Sequence, residues 1–244
     1  MLNIQPQLLA PRFNRLVGSL SRDDVNLLVP HLTSVNLVGG QCISTLSAGA
    51  AIVCFPLTLV ASVAEVLADG SRFDIGLVGS EGVLGWPAVL GGAAALEKGN
   101  AQMTGGTAFV VPADVLVDLC TRSRTLHDSI LRFVQSFAVQ MSHTIVANLR
   151  DGIDRRLARW LLMLHDRVDG DGLPVTHGEL AAALNIRRAS VTDTLHVLEG
   201  DHVLRCTRGQ VVVRDRAALV AIAGDSYGPA EARYRALIGP FGKG

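Results

Sequence analysis

Residues 176–204 read THGELAAALNIRRASVTDTLHVLEGDHVL, and this stretch decides the architecture of the C-terminal part. Thr176 with Glu179 three residues later makes a capping box, and Leu180 with Leu184 gives the ensuing helix an apolar face. The helix should end near Asn185. Asn tolerates a left-handed backbone, so Leu184-Asn185-Ile186 can turn the chain sharply into a second helix over 187–199. There Val191, Leu195 and Leu198 recur at helical spacing and pack on the first helix, which leaves Arg187, Arg188, Ala189, Ser190, Thr192, Asp193 and His196 outward or flanking. Such a short, polar, cationic helix start is what a helix-turn-helix presents to duplex DNA: its first residues approach base edges while hydroxyls and arginines hold phosphates. An ordinary αα-hairpin would account for the two helices, but not for the β-hairpin encoded immediately after them.

Residues 203–215, VLRCTRGQVVVRD, spell that β-hairpin, with Thr207-Arg208-Gly209-Gln210 as its turn, and it forms a wing beside the second helix. Arg205, Arg208, Arg214 and Arg216 stand against the single Asp215, a local cationic excess suited to phosphates.

The whole chain has 244 residues, 49% of them apolar, enough for two ordinary cores. Its 22 basic and 22 acidic residues cancel, so no global field draws it to nucleic acid or membrane, and DNA affinity must come from a local patch. No leader opens the chain, and its apolar runs are broken by Gly and Pro short of a membrane span; the expected location is the cytoplasm. Cys42, Cys54, Cys120 and Cys206 are far apart with no CxxC pair, which favours buried free thiols over a metal site.

Between Val35 and Pro112 short β-rich runs alternate with glycines: Val35 to Val38, Ala51 to Phe55, Leu59 to Leu67, Arg72 to Val78, Gln102 to Thr104 and Thr107 to Val111. Asp69-Gly70 marks a hairpin, and the pattern predicts an antiparallel barrel or jelly roll. Leu8 to Leu28 should add one or two short helices. A long helix comes next, from about Ala113 through Leu149, with two apolar series: Leu126, Ile130, Phe133, Phe137, and Leu131, Val134, Ala138, Met141, Ile145, Leu149. One stripe serves the β-roll; a second implies another apolar surface, most simply the same helix of a second subunit. Leu126, Ile130, Phe133, Val134, Phe137, Met141 and Ile145 are the dimerisation candidates. Asp151-Gly152 breaks this helix as a hinge. In the next helix, from Ile153 to about Arg167, Leu157, Leu161 and Leu164 face inward, and Arg155, Arg156 and Arg159 should pair with Asp151, Asp154 and Asp166. Asp169-Gly170-Asp171-Gly172 lacks the length and closing Glu of a calcium loop, so no metal is expected.

A β-roll, a long helix, a hinge and a winged helix-turn-helix, in that order, resemble the Crp/Fnr family of bacterial transcription regulators over nearly the whole chain. The likeness is strongest in LARWLLMLHDR at 157–167, in residues 176–195 and in LEGDHVL at 198–204; Asp74 through Gly85 are similar in position to the family's phosphate-binding cassette. It implies an α+β fold: a cyclic-nucleotide-binding-like β-roll over 1–112, a dimerisation helix and hinge over 113–150, a winged helix-turn-helix over 151–224 and a C-terminal tail over 225–244. It also implies a homodimer on a near-palindromic operator, with RNA polymerase as a further partner and no cofactor. Arg188, Ala189 and Asp193 then fall at base-reading positions, with Ser190 and Thr192 near the backbone; Arg187, Thr176 and Arg208 complete the DNA-binding candidates. Arg188 is the candidate for a bidentate guanine contact, while Asp193 either accepts from cytosine or orients Arg187 or Arg188.

The cassette departs from the family where it matters. The family's Gly-Glu-Leu reads Gly82-Val83-Leu84, its Arg-Ser falls at Gly99-Asn100, and no Arg lies between Arg72 and Arg122 to clasp a cyclic phosphate. Cyclic AMP is not expected; Gly82, Val83, Leu84, Gly85 and Asn100 mark where another effector would sit, its identity open. Trp86 and Phe73 read as core aromatics. The clustered N-terminal cysteines of the oxygen sensors are missing, and His31, His127, His143 and His165 stand singly, against a haem. A cupin-type enzyme would need clustered histidines in the roll, and Val35 to Val111 contains none. The remaining alternative is a ligand-binding or protein-interaction module whose helix-turn-helix has lost DNA.

Overall fold

Short apolar runs between glycine-marked turns build the N-terminal half as two small antiparallel sheets. The computed structural model describes residues 14–41, 51–91, 101–102 and 104–243. The first sheet has the order β1 (Thr33–Leu37), β6 (Gly106–Pro112), β2 (Ile52–Pro56). The second has the order β4 (Arg72–Val78), β3 (Ala61–Val66), β5 (Ala101–Gln102). Val53, Phe55, Phe109 and Val111 are buried in the core of the roll. The β3–β4 hairpin turns at Asp69-Gly70, where Gly70 takes φ 84° and Asp69 accepts from the Ser71 amide. Short helices α1 (Arg15–Gly18) and α2 (Arg22–Leu28) precede the strands. Cys42, Asn100 and the part of the first helical expectation before Asn14 lie outside the described residues.

The helix expected over 113–149 is two helices, α3 (Ala113–Arg122) and α4 (Arg124–Arg150). Ser123 divides them: its backbone is extended at φ −128° and ψ 108°, and its Oγ accepts from the Leu126 amide as the cap of α4. The α4 rod, 27 residues and about 40 Å long, lies on the roll through Leu126, Ile130, Phe133 and Phe137. Gln140 completes the contact. Its Oε1 accepts from the Leu77 amide at 2.6 Å and its Nε2 donates to the Leu77 carbonyl at 3.2 Å, as a neighbouring strand would.

This corrects four of the seven dimerisation candidates. Leu126, Ile130, Phe133 and Phe137 are buried in their own subunit and have no surface left for a partner. Val134 and Met141 remain partly exposed, whereas Ile145 is 60% and Leu149 84% exposed. The outward series is the one free to meet a second apolar face.

After the break at Asp151-Gly152 come α5 (Ile153–His165), β7 (Gly172–Leu173), α6 (His177–Leu184), α7 (Arg188–Gly200), β8 (Leu204–Thr207), β9 (Gln210–Val213) and α8 (Arg216–Ala223). They enclose a second apolar core around Leu157, Leu161, Leu180, Leu195 and Leu219, into which Val60 and Leu77 of the roll also reach. This C-terminal unit, the head, is thus docked on the roll. The last segment is more than a tail: α9 (Pro229–Leu237) returns along α4, and Tyr234 and Phe241 join the roll's core. The Tyr234 hydroxyl donates to the Glu81 carbonyl at 2.7 Å. This return could not be read from the sequence, because the bond from Tyr234 to Glu81 spans 153 positions.

Glycine governs how closely α4 approaches. A Cβ on Gly82 would stand 2.2 Å from the Phe133 ring, and one on Gly76 2.7 Å from Gln140 Oε1. Gly82→Ala should therefore overpack this contact, lowering stability by about 1–3 kcal/mol, and Phe133→Leu in the same chain should recover part of the loss. Thermal melts of the two single variants and the double check this; additive losses would rule the contact out.

Candidate nucleic-acid interface

The helix-turn-helix forms for the local reasons its residues supply. Thr176 Oγ1 accepts from the Glu179 amide at 3.2 Å and Glu179 Oε2 accepts from the Thr176 amide at 2.7 Å, a complete capping box at the start of α6. At its end Asn185 takes φ 50° and ψ 51°, and the Ile186 amide reaches back to the Ala181 carbonyl at 3.0 Å. Val191, Leu195 and Leu198 are buried in the core that α6 and α5 share with α7.

Arg187 is the N-cap of α7 and gives no side-chain cap, so the first amides of this helix keep their donors. Arg187, Arg188, Ala189 and Asp193 are all exposed, on the outward side of α7. Among the described residues neither of these arginines nor Asp193 is in an ion pair. Thr192 Oγ1 lies 3.0 Å from His177 Nδ1, which ties α7 to the start of α6, and Ser190 stands one turn before Thr194, whose hydroxyl donates to the Ser190 carbonyl. Thr176 is exposed, its hydroxyl engaged in the cap.

The wing joins the same surface. Gly209 at φ 76° turns β8 into β9, and Glu199 Oε1 accepts from the Cys206 amide at 2.9 Å, fixing the wing to the end of α7. Arg205, Arg208 and Arg214 are exposed. Arg216 does not belong with them. Its Nη2 donates to Asp166 at 2.7 Å and to the Tyr227 hydroxyl, and its Nη1 faces His165 Nδ1 at 3.1 Å, so its charge is spent inside the head. Burial, and then the Asp166 carboxylate, keep the Tyr227 hydroxyl protonated far above its ordinary range.

The hinge arginines also depart from expectation. Arg155 pairs with Asp151 at 3.6 Å, as its spacing predicts. Arg156 donates to the Leu184 carbonyl at the end of α6. Arg159, 4% exposed, donates to the carbonyls of Ser226 at 2.9 Å and Gln140 at 3.1 Å; burial lowers its guanidinium to about 10. Arg156 and Arg159 bind helix and loop carbonyls brought near only by folding, which the sequence spacing does not show.

In the cassette Val83 and Leu84 are buried in the core, and Leu84 exchanges two backbone hydrogen bonds with Cys54 at 2.8 and 2.9 Å. Phe133 covers Gly82, and Gly85 sits at φ 82° with the Ile52 carbonyl where a side chain would go. These four residues pack instead of lining a cavity, which corrects the effector expectation for them. Trp86 packs on Phe137 with ring centres 6.3 Å apart, whereas Phe73 is exposed rather than core. Cys54 and Cys120 are buried free thiols, raised by burial to about 12 and about 11, while Cys206 is only half-buried.

Residues 155–222 match the Crp-like helix-turn-helix domain model. This is a Crp/Fnr-type transcription-regulator fold. Similar solved structures include a putative Crp/Fnr-family transcriptional regulator from Eubacterium rectale, with 14% identity, TM-score 0.61, 85% of this chain and 97% of that one covered. A CRP-family regulator from Thermus thermophilus has 22% identity and TM-score 0.61 over 78% of this chain and 97% of its own. FixK2 from Bradyrhizobium japonicum has 15% identity and TM-score 0.62 over 79% and 98%. At these identities the likeness is one of fold. No curated protein matches the chain by sequence. No helix among the described residues is long and apolar enough to cross a membrane.

The break at Asp151-Gly152 has a pH signature. Burial raises the Asp151 carboxyl, but hydrogen bonds from Ser226 and Arg150 and the charges of Arg150 and Arg155 outweigh it and hold it below the ordinary carboxylate range. A lowered folded value stabilises the fold above the unfolded pKa, near about 3.9, and the contribution is lost as pH falls through the folded value. Asp151→Asn should therefore lower stability at neutral pH and flatten the acid limb; matching pH–stability curves for variant and wild type would refute this.

Proposed function

We propose that the chain is a homodimeric, sequence-specific DNA-binding transcription regulator that cyclic AMP does not control. The observation that carries this reading is the outward start of α7, where Arg187, Arg188 and Asp193 are in no ion pair among the described residues, next to the exposed Arg205, Arg208 and Arg214 of the wing. In a dimer joined along Val134, Met141, Ile145 and Leu149, two such helices enter successive major grooves about 34–36 Å apart on a near-palindromic site. Arg188 reads guanine, Asp193 accepts from cytosine, Ala189 meets a thymine methyl, and Arg187, Ser190, Thr192, Thr176 and Arg208 hold the backbone. The roll (1–112), the helix and hinge (113–150), the head (151–224) and the C-terminal segment (225–244) divide the labour, RNA polymerase is the further partner, and the cytoplasm is the place of work. The chain works as a binding protein, without a catalytic step.

Independence from cyclic AMP rests on the missing cassette arginine and on Phe133 occupying the space over Gly82. Titration with cyclic AMP should give no heat and no change in DNA affinity.

On an operator selected from random duplex, Arg188→Ala should lose about 1–3 kcal/mol of binding and relax one base position. Arg208→Ala should weaken all sequences alike and reduce the salt slope by about 1. Unchanged affinity and selectivity for Arg188→Ala would overturn the base-reading assignment. Ile145→Glu should shift the sedimenting species from dimer to monomer; a wild-type chain that sediments as a monomer would overturn the homodimer.

A further inference from the structure

A cleft of about 410 Å³ runs along the seam between roll and reading head, inside the range small-molecule sites occupy. Three parts of the chain build it. The roll side supplies Arg15, Thr58 and Ser80, the loop after α5 supplies Asp166 through Gly170, and the C-terminal strap supplies Lys243.

Its charges are not all free. Arg167 is neutralised by Glu81 at 2.8 Å, both side chains almost wholly buried, and Asp166 is neutralised by Arg216 at 2.7 Å. Arg15 is exposed, in no ion pair among the described residues, and lies over the Phe241 ring with its guanidinium 5.8 Å from the centre. Lys243 Nζ donates to the Gly170 carbonyl, and burial, with the nearby Arg216 charge, pulls its ammonium below the ordinary range even though Asp171, Asp166 and Asp169 act to raise it. Arg15 and Lys243 thus both line the cleft, with the exposed Asp169 beside them and the Asp171 carboxylate near Lys243. Ser80 lines the roll side, where its carbonyl accepts from the Arg15 amide at 2.5 Å.

We infer that the seam cleft binds a small anionic metabolite, its phosphate or carboxylate between Arg15 and Lys243 and its polar body against Ser80 and Asp169. The site is distinct from the cassette, whose residues are packed. Because its walls belong to both halves, an occupant binds the docked arrangement and not an undocked one, and by mass action stabilises it. That docking then sets how α7 is presented is the one step that rests on the proposed regulator reading.

Calorimetric titration of the full chain tests this with glucose 6-phosphate and adenosine 5′-monophosphate as phosphate probes, citrate and glutamate as carboxylate probes, and glucose and adenosine as uncharged controls. The expected result is saturable binding of at least one charged probe at up to millimolar concentration, with Arg15→Gln/Lys243→Gln weakening it by about tenfold or more. Which arm binds tells phosphate from carboxylate. The single Arg15→Gln variant, altered at an exposed side chain, gives the same readout if the double variant folds poorly. No binding by any charged probe, equal binding of the controls, or undiminished binding by the variants would overturn the site. The titrations contain no DNA, so a failure of the DNA reading leaves their outcome unaffected.

Discussion

Much of the geometry depends on one side-chain amide. Gln140 clasps both backbone polar groups of Leu77, so the α4 rod is held to the roll by bonds as directional as those of a strand pair. Removing it would leave a buried amide and carbonyl unpaired, at about 1–3 kcal/mol each. Held at this rotation, α4 turns Phe133 and Phe137 inward and Ile145 and Leu149 outward. The direction of the outward stripe is set by that registration, and with it the relative placement of two reading heads in any pair built along it.

The head is fixed to the roll by polar groups as well as by apolar area. Arg159 ties α4 to the loop after α8 through two carbonyls, and Arg167 crosses to Glu81, whose carboxylate also accepts from the Gly79 amide at 3.0 Å. Buried ion pairs add little net stability, because desolvation offsets the Coulomb attraction. They penalise wrong arrangements instead, since a half-paired buried charge is costly. An apolar seam would tolerate sliding; one pinned by Glu81–Arg167 and by Tyr234 on the Glu81 carbonyl has a preferred register.

Close approach shapes the cassette in a similar way. Its backbone bridges to the sheet through Leu84 and Cys54, and its glycines admit Phe133 and the Ile52 carbonyl at distances no side chain would allow. A segment placed like a ligand cradle serves here as packing for α4. A cleft with polar walls lies instead at the seam.

The sequence by itself determined what short-range chemistry controls. The capping box at Thr176, the left-handed Asn185, the apolar spacing of Val191, Leu195 and Leu198, the Asp69-Gly70 hairpin and the strands between glycines are set by interactions within a few residues. Their physical signals, period, cap and turn, are local and so were legible. Only the tertiary structure decided which of two apolar stripes on α4 is inward, that Ser123 splits the helix, that Arg216 turns away from the wing, and that the C-terminal segment returns to the roll. Each of these depends on which distant group arrives to satisfy a buried charge or fill a gap, and contacts such as Glu81 with Arg167, 86 positions apart, leave no trace in spacing.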